Sequence, residues 1–440
     1  MTANPIDQNA DGAPDEVGRS ALRKAAWRLL PLLGLGYALA YIDRLNVSFA
    51  ALQMNEDLQF SAAVYGLGAG LFFLTYALCE VPSNLVLMRV GARRWIARIL
   101  VSWGAISTAM MFVEEPWQFY ALRLLLGAAE AGFFPGAVYF LSRWFPGAYR
   151  GRAISGFYVA LPLSTAVMAG MSGLILDNLD EVGGLGGWQW LFLLEGFPTI
   201  LLGIIVWFRL TDRPREANWL TEAERNWLEA RVVIETHALR MKEVFGAMLH
   251  PWVFILGAAN FILLGSHYAF HFSAPTILKL ETGLDATGIG YVVSATALLG
   301  VPAMLASSWY SDLRRDRIRQ AALLIGVGAS GYLLLAMADG PAMALTAYVL
   351  ASLANFALQG VIWAIPGDLF RGRLAGVAFA SIITIGMFGS FLAPIGWGAL
   401  HDATGSYQTG ILVLPALLLI PVTLLFVLRA RARRQPLESA

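Results

Sequence analysis

The sequence predicts an all-α integral membrane protein, with twelve transmembrane helices arranged as two six-helix bundles. Three observations carry this. The chain of 440 residues is 58% hydrophobic and 14% charged, with a mean hydropathy of +0.62; soluble domains run at about 45–50% apolar and about 25% charged. Twelve runs are long and apolar enough to cross a bilayer, which takes about 20 residues each. One long hydrophilic segment, 209–250, stands midway and divides the runs six and six. Such a composition excludes a disordered chain and argues against a soluble enzyme. The single cysteine, Cys79, excludes a disulfide framework or a cysteine metal cluster.

Taken in order, residues 1–20 are polar and read as a disordered cytoplasmic tail, without the basic-then-apolar pattern of a cleaved signal. An N-terminal bundle follows over 21–208. Span one, 29–52, comes after Arg19, Arg23, Lys24 and Arg28 and leads to Glu56 and Asp57. Span two, 62–87, leads to the basic turn Arg89 to Arg98, and span three, 95–113, to Glu114 and Glu115. Span four, 117–142, precedes Arg143, Arg150 and Arg152; span five, 152–177, precedes Asp180 and Glu181; span six is 188–208. The linker 209–250 mixes Leu220, Trp227, Leu228 and Val232 with charge, as short amphipathic helices at the cytoplasmic interface do.

The C-terminal bundle covers 251–430. Spans seven to nine are 252–278, 286–309 and 319–338, with Arg314, Arg315, Arg317 and Arg319 between the last two. Span ten, 341–366, leads to Arg371 and Arg373; span eleven, 373–398, to Asp402; span twelve, 407–428, to a basic tail over 431–440. Of the 31 basic residues, all but Lys279 and the intraspan Arg44 and Arg123 fall on one side. The positive-inside rule puts that side, and both termini, in the cytoplasm. The two halves also share a weak repeat. Asn84 to Arg94 after span two, with Arg93, answers Ser308 to Arg315 after span eight, with Asp312.

Asp43, Glu80, Glu130 and Glu195 fall inside spans, as do Arg44 and Arg123. A charge at the membrane centre costs at least about 2.5–3.5 kcal/mol, so function is the default reading. At 1.5 Å per residue, Arg44 lies about 12 Å and Arg123 about 9 Å below the outer ends of their spans. Both guanidiniums could face one cavity. Glu130 is two helical turns past Arg123 on the same face, and Asp43 points about 100° from Arg44. This cluster suits proton-coupled anion transport. Arginine keeps its charge and its fork matches a carboxylate. Desolvation favours a protonated acid, a nearby arginine opposes it, and an arriving anion would relieve that opposition. The competing reading is a static ion-pair network. For Glu80 and Glu195 the expectation is structural pairing with inner-loop arginines, with a gate lock as the alternative.

The second half offers milder polar groups: Asn260, His267, Tyr268 and His271 in span seven, Asn355 and Gln359 in span ten. His267 and His271 share a face, as do Gln359 and Trp363. They read as cavity lining. No metal set, phosphate loop, catalytic triad or nucleic-acid face is present, so neither an enzyme nor a cofactor is expected.

Several stretches carry a resemblance: Tyr41-Ile-Asp43-Arg44-Leu-Asn46, Glu80-Val-Pro82-Ser-Asn84, and Arg123 through Glu130 to Gly136. To these add Trp144-Phe-Pro146, Arg150-Gly-Arg152, Trp188 to Gly196, and Asn218 to Arg225. With the six-plus-six plan, the chain resembles the major facilitator superfamily, and within it the anion:cation symporter family of organic-acid permeases. The resemblance implies proton symport of small carboxylates (sugar acids, tartrate-like hydroxy acids or aromatic acids) in a bacterial inner membrane. It implies proton carriage by Asp43 and Glu130, carboxylate binding by Arg44, a link from Arg123 to Glu130, and a substrate site lined by Tyr41 and Tyr76. Asn84, Arg93, Asp312 and Arg315 belong to its gating turns. The sequence departs from the pattern at Met88, where an Asp is usual, and in span seven, where the stretch Tyr268 to Pro275 lacks the pattern's Trp. Ile383, Met387 and Leu161 replace amides, which disfavours a polyol and points to a less hydroxylated acid, aromatic acids included; the competing expectation is that His267, His271, Asn355 and Gln359 supply the missing hydrogen bonds. The alternatives are an organophosphate or organic-anion exchanger, a multidrug proton antiporter, or a receptor on the same fold. The expected partners are a small organic anion and the lipid bilayer, with the protein a monomer and protons the coupling ion.

Overall fold

The computed structural model describes residues 14–158, 160–232, 246, 248–370 and 374–434. Expectations placed on 1–13, on 233–245, on Arg371 and Arg373 and on 435–440 lie outside the described residues, as does the side chain of Leu161. The described residues form helices and connecting turns, with no strand among them.

Local chemistry fixes the helix ends. In α1 (Glu16–Asp57) the Asp15 carboxylate accepts the Gly18 amide at 2.8 Å, and in α2 (Ala62–Val90) Ser61 accepts that of Val64. The first half continues through α3 (Ala92–Ala109), α4 (Pro116–Glu130), α5 (Phe133–Ser142), α6 (Gly147–Tyr158), α7 (Ala160–Asn178) and α8 (Gly187–Arg209). The linker carries α9 (Glu222–Arg231). The second half holds α10 (Pro251–Thr282), α11 (Ala286–Arg314), α12 (Arg317–Ala336), α13 (Pro341–Ile362), α14 (Ile365–Leu369), α15 (Leu374–Thr404) and α16 (Tyr407–Arg434). Proline opens α4, α10 and α13, where its missing N–H breaks no helical bond. Among the described residues eleven helical stretches are long and apolar enough to cross a membrane. A further helix, α7, takes the place of the expected fifth span.

Spans four and ten are each broken, at corresponding places in the two halves. The first break falls at Gly132, with φ +88°; a Cβ there would lie 2.4 Å from Ser83 Oγ on α2. Only glycine meets both demands, and the break leaves Glu130 on the last residue of α4. The second break separates α13 from α14 at Trp363 and Ala364.

The bundles meet along two related seams, α2 on α15 and α7 on α11. The backbones nearly touch: a Cβ on Gly398 would lie 2.1 Å from the Ala62 carbonyl, and one on Gly290 2.4 Å from that of Ala169. A carboxylate from the opposite bundle caps each seam. Asp402 accepts the amides of Ala62 and Ala63 at 3.1 and 3.0 Å; Asp177 accepts that of Thr287 at 2.6 Å. Both caps stand at the end where the turns are acidic, and the Tyr65 hydroxyl donates across to the Phe272 carbonyl at 3.0 Å.

Two boundaries differ from expectation. Helix α1 starts at Glu16, inside the expected tail, and α16 runs on to Arg434. The early start has a physical cause in the linker. Helix α9 docks on the extension, with Trp227 beside Gly18, and Lys24 and the Ser20 hydroxyl donate to Glu224 at 2.7 Å. Burial would raise the Glu224 carboxyl, but Lys24, Ser20 and the Thr221 amide outweigh it and hold it at about 2.

Removing both seam caps, Asp177→Ala with Asp402→Ala, should loosen the acidic end. At about 1 kcal/mol per cap the pair shifts the balance of states roughly 30-fold. Spin labels at the exposed Gln59 and Ala403 should report a broader, longer distance distribution than in the parent.

Candidate functional site

The four charges expected near mid-membrane are all enclosed: Asp43 is 2% exposed, Arg44 7%, Arg123 1% and Glu130 1%. Asp43 and Arg44 are neighbours on α1 and point to different partners. Arg44 turns towards α4 and forms a short ion pair with Glu130. Its guanidinium lies 5.2 Å from the ring centres of Tyr41 and Tyr76 and 5.4 Å from that of Phe72. Arginine's weak hydration and planar cation suit such an aromatic cage. Asp43 turns towards α3, where it accepts the Trp103 indole N–H at 2.8 Å and the Ser107 hydroxyl. It is thus held by neutral donors alone.

Arg123 corrects one expectation. It does not reach Glu130. Its Nε and a terminal nitrogen donate to the carbonyls of Gly68 and Ala69 on α2, at 3.2 and 3.3 Å. Phe72 links the two arginines: Arg123 stands 4.9 Å from the same ring that Arg44 faces. The Nε of Arg44 and the Oε2 of Glu130 are buried without hydrogen-bond partners among the described residues. One donor for an anion and one oxygen for a proton therefore stand idle within a single ion pair.

The gating residues also depart from expectation. Among the described residues Glu195 pairs with no arginine; it accepts the Ser172 hydroxyl at 2.9 Å deep in the first bundle, because α8 packs there against α1, α3 and α7. Glu80 forms no ion pair among the described residues, and Asn84 donates to the Glu80 carbonyl of its own helix at 2.8 Å. Asp312 pairs with Arg317 at 2.9 Å, and Arg317 also holds Asp368 at 2.5 Å. Arg315 caps α11 with φ +52°. Arg93 offers its backbone amide to Asp212 at 2.8 Å.

The second bundle's polar residues divide. His267, Asn355, Gln359 and Trp363 line a cavity of about 40 Å³ whose walls all belong to the C-terminal bundle. The Trp363 indole already occupies the Gln359 oxygen at 2.6 Å. These groups therefore do not face Arg44 in this state. His271 does reach the seam, lining a cavity of about 30 Å³ with Leu45, Ser48 and Phe49 of α1. Its ring lies 4.2 Å from that of His267, as helical spacing requires. Sequence reasoning missed Phe72, Trp103 and Ser107; Tyr268, which it did name, packs its ring 4.4 Å from that of Phe73 across the bundles. The pair Trp103 and Ser107, four apart in an apolar helix, was the available signal for the partner of Asp43.

This geometry separates the two arginines. Arg44→Lys keeps charge and loses the fork, so anion affinity should fall about 10–100-fold, the worth of one charge-assisted hydrogen bond. Arg123→Lys should instead lower the melting temperature, because it breaks the tie to α2. Isothermal titration and thermal unfolding of both variants check this.

The chain has relatives among known proteins. A putative tartrate transporter of Agrobacterium vitis is 39% identical over 422 residues, covering 95% of this chain and 93% of that one. A quinolone resistance transporter of Acinetobacter baumannii is 34% identical over 424 residues, covering 96% and 98%. The crystal structure of a bacterial homologue of the human lysosomal transporter Spinster, inward-facing and unoccupied, shares the fold. Its TM-score is 0.75 at 16% identity, with 94% of this chain and 97% of that one covered. The profile of the Major Facilitator Superfamily matches residues 33–394, and with a fold of two six-helix bundles the chain belongs to that superfamily of membrane transporters.

Proposed function

We propose that the protein is a proton-coupled symporter that takes up a small organic carboxylate through a bacterial inner membrane by alternating access, with both termini in the cytoplasm. The observation that supports this reading is the caged Arg44–Glu130 pair with one idle atom on each partner. An incoming carboxylate competes with Glu130 for the Arg44 fork. Glu130 then loses its cation inside a low-dielectric bundle, where an unpaired carboxylate is far more costly than a protonated one. It therefore binds a proton as the anion binds arginine. The loaded site carries no uncompensated charge, and the bundles can rock about their seams. Release reverses the exchange: Arg44 recaptures Glu130 and the proton leaves. Asp43, held by Trp103 and Ser107, is the second proton carrier in this reading.

The aromatic cage of Tyr41, Phe72 and Tyr76 favours an acid with an apolar or aromatic body. Each hydroxyl buried there without a partner would cost about 1–3 kcal/mol. The relative named for tartrate supports a carboxylate and favours a more hydroxylated one. The relative named for quinolone resistance supports a second reading, a drug–proton antiporter.

Proteoliposomes distinguish these readings. Under an inward pH gradient the symporter accumulates a radiolabelled acid, whereas an antiporter expels a quinolone. Glu130→Gln and Asp43→Asn should abolish gradient-driven accumulation and retain counterflow, which needs no net proton movement. Unchanged accumulation in both variants would refute the coupling. In competition a benzoate-like acid should displace the substrate better than tartrate or a hexonate, and preference for the hexonate would overturn the substrate class.

A further inference from the structure

At the basic end of the first bundle, α1 and α8 line an open groove of about 570 Å³. Its apolar wall is Pro31 and Leu32 on one side and Ile204 and Ile205 on the other. Trp27 and Phe208 flank it, 79% and 76% exposed. Exposed apolar side chains on a spanning bundle face acyl chains, so the groove opens to lipid. Two arginines also line it, Arg28 and Arg209, one from each helix. No carboxylate lines the groove, and among the described residues neither arginine forms an ion pair. The nearby Asp212 is turned away to the Arg93 amide. Arg28 is oriented by the Trp219 ring, 5.3 Å from its guanidinium.

We propose that this groove is a specific binding site for an anionic phospholipid. Its phosphate would sit between Arg28 and Arg209, and an acyl chain would lie along Pro31, Leu32, Ile204 and Ile205. Two features select this ligand. Paired guanidiniums match phosphate oxygens and lack a protein counter-charge. A zwitterionic headgroup brings its own ammonium beside them and loses part of the attraction. An interfacial tryptophan at Trp27 sets the headgroup depth. The groove also spans the α1–α8 contact beside the docked linker, so an occupant would tie the first helix to the last helix of its bundle.

The test is native mass spectrometry of the detergent-solubilised full chain, titrated with phosphatidylglycerol, phosphatidylethanolamine or inorganic phosphate. Phosphatidylglycerol should bind at least about tenfold more tightly than phosphatidylethanolamine. Arg28→Gln with Arg209→Gln should bring its affinity down to the phosphatidylethanolamine level. Ile205→Trp, which fills the groove and leaves both arginines, should also weaken phosphatidylglycerol, so the test survives a double variant that fails to fold. Inorganic phosphate should not displace the lipid. Equal binding of the two lipids, undiminished phosphatidylglycerol binding in a folded variant, or displacement by phosphate would each overturn the proposal.

Discussion

The arrangement depends on one constraint: an arginine buried in a membrane bundle must be given a partner, and Arg44 has one anionic partner, Glu130. Most local features of the first half follow from holding that pair. The aromatic rings of Tyr41, Phe72 and Tyr76 enclose the cation. The break at Gly132 ends α4 so that Glu130 projects from its final turn. Arg123 ties α4 to the backbone of α2 and stands against Phe72. Asp43 is kept off both arginines by the Trp103 and Ser107 donors. A buried pair of this kind is weak support for stability as such, although removing either partner is strongly destabilising because it leaves an uncompensated charge.

The second constraint is steric. Two rigid bundles can move against each other only if their contacts break together. The seams meet this need with backbone approaches at Gly398 and Gly290, which bury little side chain, and with the Asp402 and Asp177 caps. Each cap joins the end of one helix to the start of another in the opposite bundle. The pair repeats across the two halves, so the acidic end closes as a unit. In the proposed cycle the ion pair and the seams divide the work: one responds to ligand, the other sets which face is shut.

Much of the fold was legible in the sequence because lipid imposes a length and a polarity on every span. The broken spans were less so. Gly132 is one glycine among many, and its role depends on Ser83, far away in the chain. The second break did have a local mark that went unread: Pro366 lacks the N–H that would bond the Ile362 carbonyl, so α13 ends at Ile362 and α14 restarts around the proline. For the site, the rarity of intramembrane charge picked out Asp43, Arg44, Arg123 and Glu130 directly. Their pairing was not legible, since it depends on how α1, α2 and α4 rotate when packed. Arg123 was expected on Glu130 and went to α2 carbonyls. Glu195 was expected near a basic loop and lies against Ser172. The polar residues of the second half were the least legible: helical spacing grouped Gln359 with Trp363 correctly but could not say that their face closes within one bundle.

The central claim is that anion and proton exchange places on one ion pair. The direct measurement is proton uptake on substrate binding, followed with a pH-sensitive dye in weakly buffered detergent solution. The account predicts net proton uptake by the parent protein on mixing with a carboxylate that binds it, and a clear reduction in Glu130→Gln at matched occupancy. Binding without proton uptake in the parent, or the same uptake in Glu130→Gln, would contradict it.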